Sequence, residues 1–249
     1  MTNSNAVLYI VATPIGNLED ITIRALKILA SVDVILCEDT RMTKRLLTRH
    51  EINTATISYH AYSKLSKVEQ IIQLLKEGKK LALVSDAGTP GISDPGAELV
   101  SIIRRELVAE ISDGSVKIES VPGPSALTAS LSISGVPCAN FIFLGFLPHK
   151  KGRETLFKEI VSSQRTCVFY ESPHRIMKTL ESLNTHFEFI SSSAVGDYLD
   201  KPNKKVTVCR ELTKVFEEVV GGSAGVVLDY FSKNFDKVRG EFVVIVSNL

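Results

Sequence analysis

An α/β fold, with a parallel sheet in its first half, is the class this sequence predicts. Three observations carry that reading. Apolar runs of strand length recur along the first half: "AVLYIVA", "DVILCE", "TATISYH", "KLALVS" and "SVKIESVP". Helix-length segments separate them, as parallel strands require of their crossovers. Turns rich in Gly and Pro end several of the runs. The texture changes near Pro122, so two domains are expected, at residues 1–121 and 122–249.

The elements follow in order. "AVLYIVA" is fully apolar and ends in "TPIGN", which reads as a buried strand and a turn. "LEDITIRALKILASV" places Ile21, Leu26, Ile28 and Leu29 at helical spacing, with Asp20 as its N-cap. After "DVILCE", the basic segment "DTRMTKRLLTRH" reads as a helix capped by Asp39 or Thr40. "KVEQIIQLLKEG" is amphipathic and stops at Gly78. "GAELVSIIRREL" is helical. In the second half, "GPSALTASLSISG" predicts a helix of small residues and "NFIFLGFLP" a strand. "HKKGRETLFKEI" predicts a basic loop and helix. "TCVFYESPHR" repeats the strand and turn, and "RIMKTLESL" is helical after it. Residues 186–204 read as irregular. "KVTVCREL", a helix over "SAGVVLDYFSKNF", and "GEFVVIVSNL" close the chain.

Composition excludes little. Hydrophobic residues make up 44% and charged residues 23%, ordinary for a globular chain, and the net charge of +1 gives no bulk attraction to nucleic acid. The 4 cysteines (Cys37, Cys138, Cys167, Cys209) form no C-x-x-C pair, so neither a zinc site nor a disulfide framework is expected. They read as buried thiols in a reducing cytosol. No signal peptide and no apolar stretch of roughly 18 residues is apparent, so the chain is read as cytoplasmic and off the membrane.

Ligands of open parallel sheets bind beyond the carboxyl ends of the strands. Here "TPIGN" (13–17), "SDAGTPGISDPG" (85–96) and "PGPSA" (122–126) stand at such ends, joined by "GFLP" (145–148) and "YESPHR" (170–175). No G-x-x-x-x-G-K-[ST] or G-x-G-x-x-G follows a strand, which disfavours nucleoside triphosphates and NAD. The loops suit a neutral or zwitterionic ligand.

"VATPIGNLEDITIRAL", "CEDTR", "VSDAGTPGISDPG", "VPGPSA", "FLGFLP", "FYESPHRI" and "CRELTKVFEE" together resemble the signatures of the ribosomal RNA small subunit methyltransferase I family. That family has the tetrapyrrole-methylase fold. The resemblance implies a five-stranded parallel sheet in the N-terminal domain and a mixed sheet in the C-terminal one. It implies transfer of a methyl group from S-adenosylmethionine (SAM) to the 2′-hydroxyl of a cytidine in 16S rRNA of the 30S subunit, by a homodimer; separately, no residue cluster calls for a metal. The alternatives are a small-molecule methyltransferase of the same fold, acting on a tetrapyrrole, and a binding module without catalysis.

The resemblance assigns SAM to loops of both domains: Pro14; Gly88, Thr89, Pro90, Gly91, Ile92, Ser93 and Asp94; Ser125 and Ala126 at a helix N-terminus; and Tyr170, Glu171 and Leu212 around the adenosine. Displacement at a sulfonium needs an aligned acceptor and a base for its proton. Glu38, Asp39 and Asp86 are the carboxylates for that role, Glu38 first because it has no capping role. Asp39 and Asp94 could instead cap helices, and Asp86 could orient the loop. RNA phosphates are expected at Arg24, Arg41, Lys44 and Arg45, at Lys150, Lys151 and Arg153, and at His174 and Arg175. An ion pair or a solvated face is the competing reading for the arginines, and base catalysis for His174.

Overall fold

The structure is a computed structural model that describes residues 6–60, 65–193 and 204–248. It divides into two compact units, Met1–Ser125 and Ala126–Leu249. The boundary thus falls just after the loop that follows Val121, where residues 1–121 and 122–249 were the expected domains.

In the first unit, strands β1 (Ala6–Val11), β2 (Val34–Cys37), β3 (Ala55–Ser58), β4 (Lys80–Val84) and β5 (Val116–Val121) form one sheet in the order β3-β2-β4-β1-β5. Every pairing is parallel. Helices α1 (Ile23–Ser31), α2 (Thr40–Arg49), α3 (Leu65–Lys76), α4 (Gly96–Glu106) and the short α5 (Val108–Ser112) make the crossovers. Alternate strand residues face opposite cores. Leu8, Leu36, Leu81 and Leu83 pack with α3 and α4 through Ile71, Leu75, Leu99 and Ile103. Ile35, Cys37, Ala82 and Val84 pack with α1 and α2 through Leu29, Leu46 and Leu47. Burial of the inner strands β1, β2 and β4 on both faces explains why they read as apolar runs.

Thr22, not Asp20, caps α1: its side chain accepts from the Ala25 amide at 3.0 Å. A 3₁₀ turn over Leu18–Asp20 intervenes and moves the helix start beyond the expected residue. Asp39 does cap α2, accepting from the Arg41 amide at 2.8 Å. Gly78 ends α3 with a left-handed backbone (φ 80°).

In the second unit, β6 (Phe141–Phe146), β7 (Thr166–Glu171), β8 (Lys204–Arg210), β9 (Glu218–Gly222) and β10 (Phe242–Asn248) form a mixed sheet in the order β6-β7-β10-β8-β9. Only β6 and β7 pair in parallel. Helices α6 (Ala126–Ser134), α7 (Arg153–Ser162), α8 (Ile176–Ser193) and α9 (Ala224–Lys233) accompany it. Phe157, Phe169, Leu180, Phe231 and Val244 are buried in the core of this unit. Each such side chain contributes about 1.5–3 kcal/mol on burial. Residues 186–193 are helical where irregular chain was expected, because Leu183 and Phe187 extend the apolar stripe of α8. Residues 194–203 lie outside the described residues. Strand β9 has no counterpart in the sequence reading. Cys37, Cys167 and Cys209 are buried, whereas Cys138 is exposed, a correction to the expectation of four buried thiols. Burial pushes the Cys209 thiol up to about 12, which leaves it inert. No described helix is long and apolar enough to cross a membrane.

Candidate cofactor and active site

The topology of the first unit selects one edge of its sheet. The crossovers after β1 and β2 run toward the β3 edge on one face, and those after β3 and β4 run toward the β5 edge on the other. Adjacent strands β2 and β4 therefore send their chains apart, and a crevice opens at their carboxyl ends. Glu38 and Asp39 follow β2, and Asp86 follows β4.

The loops at this edge are stitched together. Thr13 and Gly88 exchange backbone hydrogen bonds of 2.9 and 3.0 Å. The Thr13 hydroxyl donates to the Ser85 carbonyl at 3.1 Å, and the Ser85 hydroxyl to the Gly88 carbonyl at 3.0 Å. The Thr89 hydroxyl donates to the Pro124 carbonyl at 3.1 Å, which ties in the loop after β5. Gly88 has φ +83°, and a Cβ there would sit 3.4 Å from Ile15 Cγ2, so only glycine fits without strain.

Asp94 closes the loop from inside. Its two carboxylate oxygens accept from the Gly91 amide at 2.8 and 2.9 Å, and Oδ1 accepts from the Gly96 amide at 2.7 Å. A Cβ on Gly96 would meet Asp94 Oδ1 at 2.8 Å and the Gly91 nitrogen at 2.9 Å. Asp94 is thus a clasp on backbone amides at the start of α4, and these bonds take up the carboxylate otherwise expected at the ligand. Ser93 holds a left-handed backbone (φ 67°), a conformation that tight, functional loops retain at a cost. Pro14 and Pro90 are buried, and Ile92 and Ser93 are exposed.

The three carboxylates of the crevice differ in what surrounds them. Asp39 is bound by Arg41 through Nε at 3.1 Å and Nη2 at 2.6 Å. The Arg41 side chain, then its backbone amide, hold the Asp39 carboxyl down at about 2. A carboxyl so acidic is a poor proton acceptor near neutrality. Asp86 Oδ1 accepts from the Asp39 amide at 3.0 Å, so it joins β4 to the start of α2. Glu38 is half-buried. Burial, then the Asp86 and Asp94 charges, push its carboxyl above the ordinary value. A raised carboxyl suits proton acceptance better than a lowered one, which favours Glu38 over Asp39.

Among the basic candidates of this unit, Arg24, Lys44 and Arg45 are exposed. Arg41 is exposed too, but its guanidinium is paired with Asp39.

Ser125 ends the first unit, and Ala126 opens α6 of the second, whose first-turn amides lie outside the intrahelical pattern. The Tyr170 hydroxyl bonds to the Leu127 backbone, and burial raises its pKa against that bond. Leu212 is buried. Glu171 differs from its expected place at the adenosine. Its side chain is fully buried and is held by Arg153, Arg175 and Thr179. Arg153 and Arg175 are therefore turned inward, a correction to their reading as phosphate contacts. Lys150, Lys151 and His174 are exposed. The sequence reading missed Thr13 and Ser85; both are polar residues at the ends of buried strands, which is the signal they carried.

The model of the tetrapyrrole (corrin/porphyrin) methylases matches residues 7–227. A ribosomal RNA small subunit methyltransferase I from Thermotoga maritima is 43% identical over 240 residues, 96% of this chain and 97% of the relative. The chain belongs to the ribosomal RNA small subunit methyltransferase I family. A member from Vibrio cholerae is 42% identical over 245 residues, 98% of this chain and 78% of that protein. Among solved structures, a cobalt precorrin-4 methyltransferase superposes with a TM-score of 0.63 at 19% identity, covering 99% of this chain and 97% of that one. A uroporphyrin-III C-methyl transferase from Thermus thermophilus, complexed with S-adenyl homocysteine, gives 0.60 at 17% identity, covering 96% of each. At those identities the likeness concerns the fold.

Proposed function

We propose that this chain transfers a methyl group from SAM to the 2′-hydroxyl of a cytidine in 16S rRNA, acting on the 30S subunit. Its sequence identity to ribosomal RNA small subunit methyltransferases I over nearly its whole length is the observation that carries the reading. The family expectation adds a homodimer working in the cytoplasm, where 30S subunits are made.

The residues present fit SAM. The stitched 85–96 loop offers backbone groups, a close-approach glycine at Gly88 and little fixed charge except carboxylates, which suits a zwitterion that carries a sulfonium cation. When bound, SAM supplies an electrophilic methyl group on a leaving sulfur. The chain then has to orient an acceptor oxygen and remove its proton. Glu38 takes that proton on its carboxylate. Asp39 and Asp86 hold the start of α2 to the end of β4 and so fix the backbone beside Glu38. Asp94 keeps the 91–96 backbone in the shape that meets the cofactor. The exposed Lys44 and Arg45 of α2, with Lys150 and Lys151, contact phosphates. The near-neutral total charge favours an assembled particle over naked RNA.

Incubation with methyl-labelled SAM tests this. Label is expected in 30S subunits, far less in naked 16S rRNA, and none in 50S subunits or in an added porphyrinoid. Label in the porphyrinoid alone would replace the RNA reading with a small-molecule one.

A further inference from the structure

The loop Leu147–Gly152 joins β6 to α7 and holds His149, Lys150 and Lys151 out in solvent. Its backbone is gripped from inside. Arg175 Nη1 donates to the Leu147 carbonyl at 2.7 Å, and Arg153 Nη1 donates to the Pro148 carbonyl at 3.1 Å. Both guanidiniums converge on one carboxylate. Arg175 Nε lies 2.8 Å from Glu171 Oε1, and Arg153 Nη2 lies 3.6 Å from Oε2. The Glu171 side chain is 0% exposed, against 13% for Arg153 and 16% for Arg175. Its remaining capacity goes to the Ser172 amide at 2.8 Å and the Thr179 hydroxyl at 2.7 Å. Thr179 in turn accepts from Arg153 Nη2 at 2.7 Å.

A buried ionic cluster of this kind is a poor source of stability, because apolar packing would serve as well. What it provides here is geometry. Each arginine has a carboxylate on one side and a loop carbonyl on the other. Glu171 ends β7 and the loop follows β6, its parallel neighbour, so the cluster spans adjacent strand ends.

We propose that Glu171 is a positioning residue: through Arg153 and Arg175 it fixes the 147–152 backbone so that Lys150 and Lys151 are preorganised for RNA phosphates. The proposal rests on the reading that the substrate is RNA. Preorganisation removes an ordering cost that binding would otherwise carry.

Arg175→Lys keeps a cation beside Glu171 but cannot also reach the Leu147 carbonyl. Glu171→Gln keeps the shape and removes the charge that holds both arginines. Hydrogen exchange of the backbone amides of Leu147 and residues 149–152 is expected to quicken in both variants of the full chain. The KM for 30S subunits should rise about tenfold, with kcat and the SAM Kd held. The slope of log affinity against log salt should fall by about one to two contacts. Lys150→Ala with Lys151→Ala should weaken the unsubstituted protein and add little to Arg175→Lys. Quickened exchange with an unchanged KM and salt slope would reduce Glu171 to a structural role and overturn the proposal. Unchanged exchange would overturn the tether itself. An unsubstituted protein that fails to bind 30S subunits would overturn the proposal together with the RNA reading, a failure recognisable because it precedes any substitution.

Discussion

Replacing Glu38 by glutamine is expected to lower kcat by about 10²–10⁴-fold, the range that general-base catalysis supplies. Glutamine keeps the size of the side chain and cannot accept the proton. Calorimetric SAM affinity should stay within about twofold, because this removes a transition-state contribution and not ground-state binding. The pH profile carries a second signature. The base works unprotonated, so kcat/KM rises as pH climbs through the Glu38 pKa. Burial and the neighbouring Asp86 and Asp94 charges raise that pKa, so the rising limb is displaced upward from where an ordinary glutamate would place it. Asp39→Asn should leave the limb where it is, since Asp39 is already ionised down to about 2. Turnover by Glu38→Gln within about threefold of the unsubstituted protein would move the base to Asp86.

Asp94→Ala is expected to act on the cofactor instead. Its carboxylate satisfies the Gly91 and Gly96 amides. Losing charge-assisted bonds of this kind costs about 1.5–3 kcal/mol each where the donors stay buried, so the melting temperature should fall. The larger effect is expected on SAM. The 88–93 backbone loses its shape, and affinity should weaken at least about tenfold in titration calorimetry. Asp94→Asn should fall between, because one amide oxygen can still serve one donor. Unaltered SAM affinity in Asp94→Ala would separate the loop from the cofactor.

Much of this molecule is legible in its sequence, for physical reasons. The inner strands β1, β2 and β4 of the first unit are largely buried on both faces, so they stand out as apolar runs. Gly78 announces the end of α3 because it must turn left-handed. The misses are equally specific. Asp20 looks like a cap, but a short 3₁₀ turn uses it before Thr22 takes the role. Strand β9 is "EVVGG", and two glycines hide a strand whose hydrogen bonds come from β8. The C-terminal part of α8 carries too many serines to look helical, yet Leu183 and Phe187 reach the core.

The site shows the same limit. Composition gives the loops at the strand ends and the carboxylates in them. It does not give direction. Arg153 and Arg175 look like phosphate grips because charge is the only feature a sequence displays. In the fold a buried Glu171 draws them inward. Asp94 looks like a ligand for a cofactor, and it is a ligand for its own loop.

If this chain modifies a ribose hydroxyl of a cytidine in small-subunit rRNA, 16S rRNA of treated 30S subunits must carry the product. Nucleoside digestion and mass analysis of 16S rRNA from 30S subunits, after treatment with the protein and SAM, tests it most directly. A stoichiometric gain of 2′-O-methylcytidine is expected, strongly reduced over the same interval when Glu38→Gln replaces the unsubstituted protein. A gain of a base-methylated nucleoside, or no gain in any nucleoside while SAM still binds, would contradict it.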